Sequence, residues 1–212
     1  MVQQLLVLFC LFLPLISHGQ DERFYRQMLK GELPKLTEEV RESPVSVISV
    51  DGPLYNLDLN DDGKLESIRP AKREGIDWIQ VLNDNKTSIF EGKMLAIGGE
   101  SSLYKMRLVH LSKNSKALIL FLDEGSTSGL MFESTARIFV LSWDDNDLTT
   151  MKLTQGPHHY HEKEKQRDQY WTRDFQVDVS DLNNDGVREI IVHYNHIQRV
   201  MQYEGKGVWK RL

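Results

Sequence analysis

From position 45 onward, the apolar positions of this chain follow the pattern of many short β-strands. Runs rich in Val, Ile, Leu and aromatic residues are separated by turn residues such as Asn83-Asp84-Asn85 and Gly205-Lys206-Gly207. The clearest runs are 77–82, 102–111, 116–122, 136–143, 175–179, 189–194 and 199–204. This spacing predicts a mainly-β fold, either a sandwich, a barrel or a propeller-like array.

The first 19 positions predict a secretory signal peptide. The apolar run Leu5–Ile16 is too short to span a membrane, and Ser17 and Gly19 form a small-x-small cleavage pattern. Cys10, the only cysteine, lies inside this run, so the mature chain has no thiol for a disulfide or a zinc site. We therefore expect a secreted, periplasmic or cell-surface protein.

Segment 20–44 differs from the rest in its periodicity. Phe24, Met28 and Leu29 fall on one face at helical spacing, and Pro34 interrupts the pattern. We predict a short helical N-terminal segment here, followed by a β domain at 45–212.

The β domain contains an internal repeat. Two stretches, 54–99 and 175–212, each run in the order Asp-rich loop, strand, turn, strand, and 102–155 has the same rhythm without the Asp-rich loop. The repeat predicts an open array or propeller-like arrangement of antiparallel β-units. Three units alone do not close a ring, because propellers typically have about four to eight blades.

The Asp-rich loops, DLNDDGKLESI (58–68) and DLNNDGVREII (181–191), match calcium chemistry. Ca²⁺ binds six to eight oxygens, which a short loop supplies from alternate side chains, with a Gly at position 6 for the sharp turn. Positions 1, 3, 5 and 9 carry oxygen-bearing side chains, and the position 7 carbonyl can point inward. The candidate ligands are Asp58, Asn60, Asp62, Lys64 and Glu66, and Asp181, Asn183, Asp185, Val187 and Glu189.

Spacing excludes an EF-hand. That motif needs a bidentate Glu at position 12 between two helices, where this chain has Arg69 and Val192 in strand-like surroundings. The plainer alternative, two ordinary Asp/Asn/Gly surface turns, is disfavoured because the loops agree at positions 1, 2, 3, 5, 6 and 9.

The pattern Asp-x-Asn-x-Asp-Gly-x-x-Glu, entered from a strand and followed by an aliphatic strand, resembles the calcium loop of FG-GAP/VCBS-type repeats. The resemblance implies β-propeller blades, a loop joining the first two strands of a blade, and Ca²⁺ held by positions 1, 3, 5 and 9. Here these are Asp58, Asn60, Asp62 and Glu66, and then Asp181, Asn183, Asp185 and Glu189.

Other motifs carry weaker signals. His158, His159 and His161 lie in GPHHYHEKEK, where a surface loop is favoured over a transition-metal site. In GSTSG (125–129) the centre is Thr127, so a flexible hairpin turn is favoured over a nucleophile elbow. The charged run 161–174 is expected to be a solvated face.

These observations favour a calcium-binding module for a protein or glycan ligand, without catalytic activity. The alternatives are a hydrolytic enzyme with a His/carboxylate metal site and a structural role in the envelope. The net charge of −5 argues against nucleic acid as a partner. The mature chain has no apolar run long enough to be an integral membrane segment.

Overall fold

A computed structural model describes residues 47–98, 100–128, 132–166 and 169–212, all within the compact unit Ser43–Leu212. The predicted signal peptide 1–19 and helical segment 20–44 lie outside the described residues. The described ranges form strands and one 3-10 helix, Leu148–Thr150. The strands are β1 (Val47–Ser49), β2 (Tyr55–Leu57), β3 (Glu66–Arg73), β4 (Ile76–Leu82), β5 (Ser88–Met94), β6 (Ser102–His110), β7 (Ser115–Ser128), β8 (Phe132–Asp144), β9 (Lys152–Gln166), β10 (Gln169–Asp174), β11 (Gln176–Ser180), β12 (Glu189–Tyr194), β13 (Ile197–Gly205) and β14 (Val208–Arg211).

The strands form three antiparallel sheets. A six-stranded central sheet has the order β1-β6-β7-β8-β9-β10, and two four-stranded meanders have the orders β2-β3-β4-β5 and β11-β12-β13-β14. We call these the central, first outer and second outer sheets. The prediction of a mainly-β fold with antiparallel pairing is confirmed. The outer sheets lie within the predicted units 54–99 and 175–212, whereas the central sheet extends beyond 102–155 at both ends.

Both faces of the central sheet are covered. Along β7, Leu118 and Leu120 pack in a first core with Ile68 and Ile79 of the first outer sheet. The intervening β7 side chains, such as Ile119, point to the other face and join a second core with the second outer sheet. The sheets therefore stack as three layers with two separate cores between them.

The apolar pattern explains this layering. In β7, positions 117–122 are all apolar and buried because successive side chains enter opposite cores. In β11, Val177 and Val179 are half-buried, whereas the residues between them are exposed, as expected for a sheet with one solvated face. A continuous apolar run thus marks β7 of the central sheet, and an alternating run marks β11 of the second outer sheet.

Two loop predictions are wrong. The His-rich stretch lies within strand β9 because it pairs along its length with β8 and then with β10. GSTSG is not confined to a turn, since β7 continues to Ser128 after a register shift at which Gly125 adopts φ +78°. This irregularity lets the β7–β8 hairpin extend further than its Gly and Ser content indicates.

Candidate functional site

The two Asp-rich loops occupy equivalent places in the outer sheets. Loop 58–66 joins β2 to β3, the first two strands of the first outer sheet, and loop 181–189 joins β11 to β12 in the second. The position 9 residues, Glu66 and Glu189, begin the second strand in each case.

In loop 58–66 the predicted ligands hold the backbone of the loop itself. Asp58 Oδ2 accepts from the Gly63 N–H at 3.0 Å, and Asn60 Oδ1 accepts from the Asp62 N–H at 3.2 Å. Asp62 Oδ1 accepts from the Lys64 N–H at 2.8 Å. The Asn60 side-chain amide also donates to Asp62 Oδ2 at 3.0 Å. Alternate side chains therefore turn toward the inside of the loop, as the spacing predicts.

Loop 181–189 repeats these contacts atom for atom. Asp181 Oδ2 accepts from the Gly186 N–H at 2.9 Å, and Asn183 Oδ1 accepts from the Asp185 N–H at 3.0 Å. Asp185 accepts from the Val187 N–H at 2.7 Å and from the Asn183 amide at 2.8 Å. The shared Asp-x-Asn-x-Asp-Gly motif therefore gives both loops the same local hydrogen bonds.

Glu66 and Glu189, at position 9, connect the end of each loop to its beginning. Glu66 Oε2 accepts from the Leu59 N–H at 2.9 Å, and Glu189 Oε2 accepts from the Leu182 N–H at 2.8 Å. Only 4% of Glu66 and 2% of Glu189 is exposed. A buried carboxylate is costly unless hydrogen bonds or a cation compensate its charge, so these residues are unlike ordinary surface glutamates.

Backbone geometry explains the glycines. Gly63 and Gly186 adopt φ +80° and +85°, a left-handed conformation that side chains disfavour. A Cβ at either position would meet nothing within 4 Å, so conformation and not space requires glycine there. Position 4 is also left-handed, at φ 60° for Asp61 and 59° for Asn184, residue types that tolerate it.

Negative charge is concentrated in loop 58–66. The Lys64 N–H and the Asn60 amide hold the pKa of Asp62 below its usual value. Burial raises the pKa of Glu66, and the nearby carboxylates of Asp62 and Asp58 raise it further, against the Leu59 N–H. A bound cation would relieve this repulsion.

One oxygen in this loop has no partner. Asp58 Oδ1 is buried and makes no hydrogen bond, although Oδ2 of the same carboxylate is held by Gly63. An unsatisfied buried acceptor costs about 1–3 kcal/mol. An oxygen in that state is suited to a metal ligand, because a cation would replace the missing donor.

The donor set fits calcium better than a transition metal. Each loop offers carboxylate and amide oxygens, the hard ligands that Ca²⁺ prefers, and neither offers a thiolate or an imidazole. Within the described ranges, no three His, Cys, Asp or Glu side chains already converge as a metal-holding group. Binding would therefore require rotation of the exposed side chains that now bond to one another, such as Asn60 to Asp62.

The three histidines of β9 do not form a cluster. His159 is buried at 5% exposure, and its Nε2 lies 2.6 Å from the Tyr104 hydroxyl. His158 pairs with Glu124 at 2.8 Å and His161 with Glu133 at 2.8 Å. Burial lowers the pKa of His159 to about 4, with Lys105 and His158 adding to the effect.

Sequence reasoning missed the buried charges of the central sheet. Lys116 is 4% exposed, and its ammonium contacts Asp61 Oδ2 at 2.5 Å and the Leu59 carbonyl at 3.3 Å. Glu124 is fully buried and bonds to Arg137. Both residues sit at the ends of the apolar run of β7, where a charged residue usually marks an exposed strand end. No local signal distinguishes these two from exposed charges.

No family model, curated protein or solved structure matches this chain. The part of the chain that the structure describes contains no helix long and apolar enough to cross a membrane. The resemblance to FG-GAP/VCBS repeats thus stays a prediction.

Proposed function

We propose that this protein is a secreted or periplasmic calcium-binding β-repeat protein that acts as a binding module for a protein or glycan ligand. Its two Ca²⁺ sites are loops 58–66 and 181–189. Asp58, Asn60, Asp62 and Glu66 supply side-chain oxygens in the first, with equivalent residues in the second. The carbonyls of Lys64 and Val187 and water would complete each shell.

The observation that carries the proposal is the duplicated hydrogen-bond set of the two loops, together with the buried, unpaired Asp58 Oδ1. The loops begin at Asp58 and Asp181, 123 residues apart in sequence, yet corresponding side-chain oxygens accept from corresponding backbone N–H groups. Each buried glutamate accepts from a backbone N–H, and a divalent cation would stabilise its charge further.

The arrangement of the sheets supports a repeat architecture. Three antiparallel units stack face to face, and in the outer two a calcium-type loop joins the first strand to the second. The FG-GAP/VCBS resemblance leads us to expect this placement. We propose an open, propeller-like array in which the outer sheets are related repeats.

A binding role is favoured over the alternative of a hydrolytic enzyme with a His/carboxylate metal site. His158 and His161 each pair with a different glutamate, and His159 lies buried against Tyr104. The histidines are therefore not arranged, in the residues described, to share one ion.

Calcium titration by calorimetry tests the proposal. We expect two sites with dissociation constants of roughly 10⁻⁴–10⁻³ M, typical of extracellular modules. Glu66→Gln and Glu189→Gln should each remove one site. Glu204→Gln, which neutralises an exposed glutamate of β13, is the matched control and should leave both.

Thermal unfolding provides a second readout. At a hundredfold excess of calcium over its dissociation constant, each site adds about 2.7 kcal/mol of stability. Melting should shift upward in calcium and return in chelator. Equal midpoints, together with no calorimetric signal, would show that the loops are turns and not metal sites.

The partner is tested separately. The mature protein, immobilised with calcium and again with chelator, should retain its protein or glycan ligand only in calcium if the loops organise the binding surface. If the immobilised protein retains the ligand equally in calcium and in chelator, ligand binding does not depend on calcium.

A further inference from the structure

A cavity of about 280 Å³ is lined by residues of the central sheet together with Ile97 and Gly98, which follow β5, and Phe175 and Arg199. Side chains of β8, β9, β10 and β13 line it, and none of them belongs to an Asp-rich loop. The polar and aromatic side chains discussed below belong to the lining residues Thr135, His158, His161, Arg173, Phe175 and Arg199.

A fully buried carboxylate fixes one wall of this cavity. Glu124 accepts from Arg137 Nε at 2.9 Å and from the Thr135 hydroxyl at 2.9 Å, and it lies 2.8 Å from His158 Nε2. Although burial alone raises the pKa of Glu124, these contacts hold it below its usual value. Glu124 is therefore an anion, and it holds His158 and Thr135 at the cavity wall.

Strand register brings the remaining polar groups together. Thr135, His161 and Arg173 lie opposite one another on three successive strands. The register between β8 and β9 shifts between Ala136 and Arg137, so that Arg137 pairs with His158. This bulge lets His158 and His161, three residues apart, line the same cavity, although strict alternation would separate them.

Two arginines are held by aromatic rings. The Arg173 guanidinium lies 4.2 Å from the centre of the Trp171 ring, and that of Arg199 lies 4.9 Å from the Phe175 ring. Arg199 Nη1 also donates to the His158 carbonyl at 3.0 Å. Stacking orders a guanidinium and leaves donors at its edge, the arrangement that suits bidentate binding of a carboxylate.

The lining carries more positive than negative charge. Arg173 and Arg199 face it, against Glu133, which already contacts His161 at 2.8 Å and Lys163 at 3.9 Å. The buried Glu124 behind the wall is balanced by its ion pair with Arg137. This contrasts with the net charge of −5 of the whole chain. A positive concave site with low-dielectric walls concentrates anions.

We propose that this cavity binds a small organic carboxylate, with the carboxylate between Arg173 and Arg199 and an apolar or ring-shaped body against Phe175. The volume lies just below the range of about 300–1,000 Å³ for ligand pockets, so the ligand is small or is the acidic end group of a larger one. This proposal rests on the binding role proposed above and names its ligand class, but it does not require calcium.

Calorimetric or NMR titration with defined probes tests it. Sodium glucuronate and sodium benzoate are the carboxylate probes, glucose and benzyl alcohol their neutral counterparts, and sodium sulfate the inorganic anion. At least one carboxylate probe should saturate in the millimolar range, and its neutral counterpart should not bind. Tighter binding of sulfate than of both carboxylates would overturn the assignment, as would no saturable carboxylate binding.

Variants locate the site. Arg173→Gln and Arg199→Gln should each weaken the carboxylate probe at least about tenfold, as expected for hydrogen bonds to a charged group. Arg73→Gln is the control, because it removes the same charge from β3 in the first outer sheet. Equal losses in all three variants would show a non-specific charge effect and contradict the proposal. Melting curves confirm that each variant is folded.

The calcium variants separate the two proposals. Glu66→Gln and Glu189→Gln should bind the carboxylate probe as the wild type does. Calcium binding without probe binding would overturn only the cavity proposal. Probe binding without calcium binding would overturn only the calcium sites.

Discussion

The two Asp-rich loops share all but one of their internal hydrogen bonds and differ in how each contacts the rest of the protein. Leu59, at position 2 of loop 58–66, is fully buried in the first core, whereas Leu182, at position 2 of loop 181–189, is 38% exposed. The same letter in the same motif thus anchors one loop and faces solvent in the other. The motif determines the conformation of each loop. The residues packed around the loop determine whether its position 2 side chain is buried.

The charges around the loops differ as well. Position 4 is Asp61 in one loop and Asn184 in the other, and only Asp61 meets a buried ammonium, that of Lys116. Asp58 Oδ1 has no partner, whereas both oxygens of Asp181 accept hydrogen bonds, from Asp185 at 3.2 Å and from Gly186 at 2.9 Å. Loop 58–66 therefore has an ion pair with the central sheet and an unsatisfied carboxylate oxygen, and loop 181–189 lacks the matching features.

Both loops contact the end of the central sheet at which β6 turns into β7. The Arg188 N–H donates to the Leu111 carbonyl at 2.7 Å, and Lys116 donates to the Leu59 carbonyl at 3.3 Å. The two candidate calcium sites thus lie against a common hairpin, one on each face of the central sheet. Contrasts between them can be measured within one molecule.

The largest contrast is expected at position 2. Leu59→Ala should lower the free energy of unfolding by about 3 kcal/mol, because it leaves a cavity in the first core. Leu182→Ala should change it by no more than about 0.5 kcal/mol, since the side chain is partly solvated. Urea denaturation measures both. Similar losses in the two variants would mean that the loops are attached alike.

The two faces of the central sheet should also respond differently to acid. His159 packs edge-on against Phe121 of the second core, and its pKa is lowered to about 4 from 6.5. Between those pH values the unfolded chain binds the proton and the folded one does not. Stability should therefore fall by up to about 3 kcal/mol as the pH drops from 6.5 to 4, with no further loss from this group below that.

His159→Gln isolates this effect. The variant keeps a hydrogen-bonding partner for Tyr104 but cannot titrate, so its unfolding free energy should depend less on pH across that window. His196→Gln, an exposed histidine in the β12–β13 turn, is the control. An unchanged pH slope in His159→Gln would assign the acid sensitivity to other groups.

Exchanging position 4 tests the charge difference. Asp61→Asn gives the first loop the residue type of the second and leaves the buried Lys116 without its carboxylate. We expect a loss of about 1–2 kcal/mol, below the value for a fully buried pair because Asp61 is largely solvent-exposed. The reverse change, Asn184→Asp, should be within about 0.5 kcal/mol of neutral. If both changes prove neutral, the Lys116 contact does not stabilise the fold.

The smallest contrast concerns calcium affinity at the proposed sites. Glu189→Gln leaves loop 58–66 as the intact site, and Glu66→Gln leaves loop 181–189. The first variant should bind calcium about tenfold more tightly, because the unpaired Asp58 Oδ1 gives up no hydrogen bond on binding. Calorimetry compares the two constants. Tighter calcium binding by loop 181–189 would contradict the expectation that the unpaired Asp58 Oδ1 favours binding at loop 58–66.

The sequence alone predicted the β class and most strand positions, because side-chain periodicity and turn residues act locally. It also located both Asp-rich loops, since the left-handed glycines Gly63 and Gly186 and the alternating oxygen-bearing side chains are properties of consecutive residues. It failed in the stretch 156–165, where Gly, Pro and charged residues favour a loop. Pairing with β8 and β10 supplies hydrogen bonds on both sides and makes this stretch a strand.

The sequence pattern indicated only part of the three-layer arrangement. The unbroken apolar run 117–122 carries the signal of a strand buried on both faces, and the alternating run 175–179 that of a sheet with one solvated face. Which outer sheet covers which face depends on packing between segments far apart in the chain. Local pattern contains no information on that choice.

What the sequence determined by itself is therefore local: strand periodicity, the form of the two loops and the oxygen-bearing side chains that each presents. The tertiary structure decided that Leu59 is buried and Leu182 exposed, that Lys116 lies against Asp61, and that Glu124, His158 and the cavity arginines meet across four strands. The physical reason is that burial and charge pairing depend on contacts between residues distant in sequence, and identical local motifs acquire different energies when different neighbours cover them.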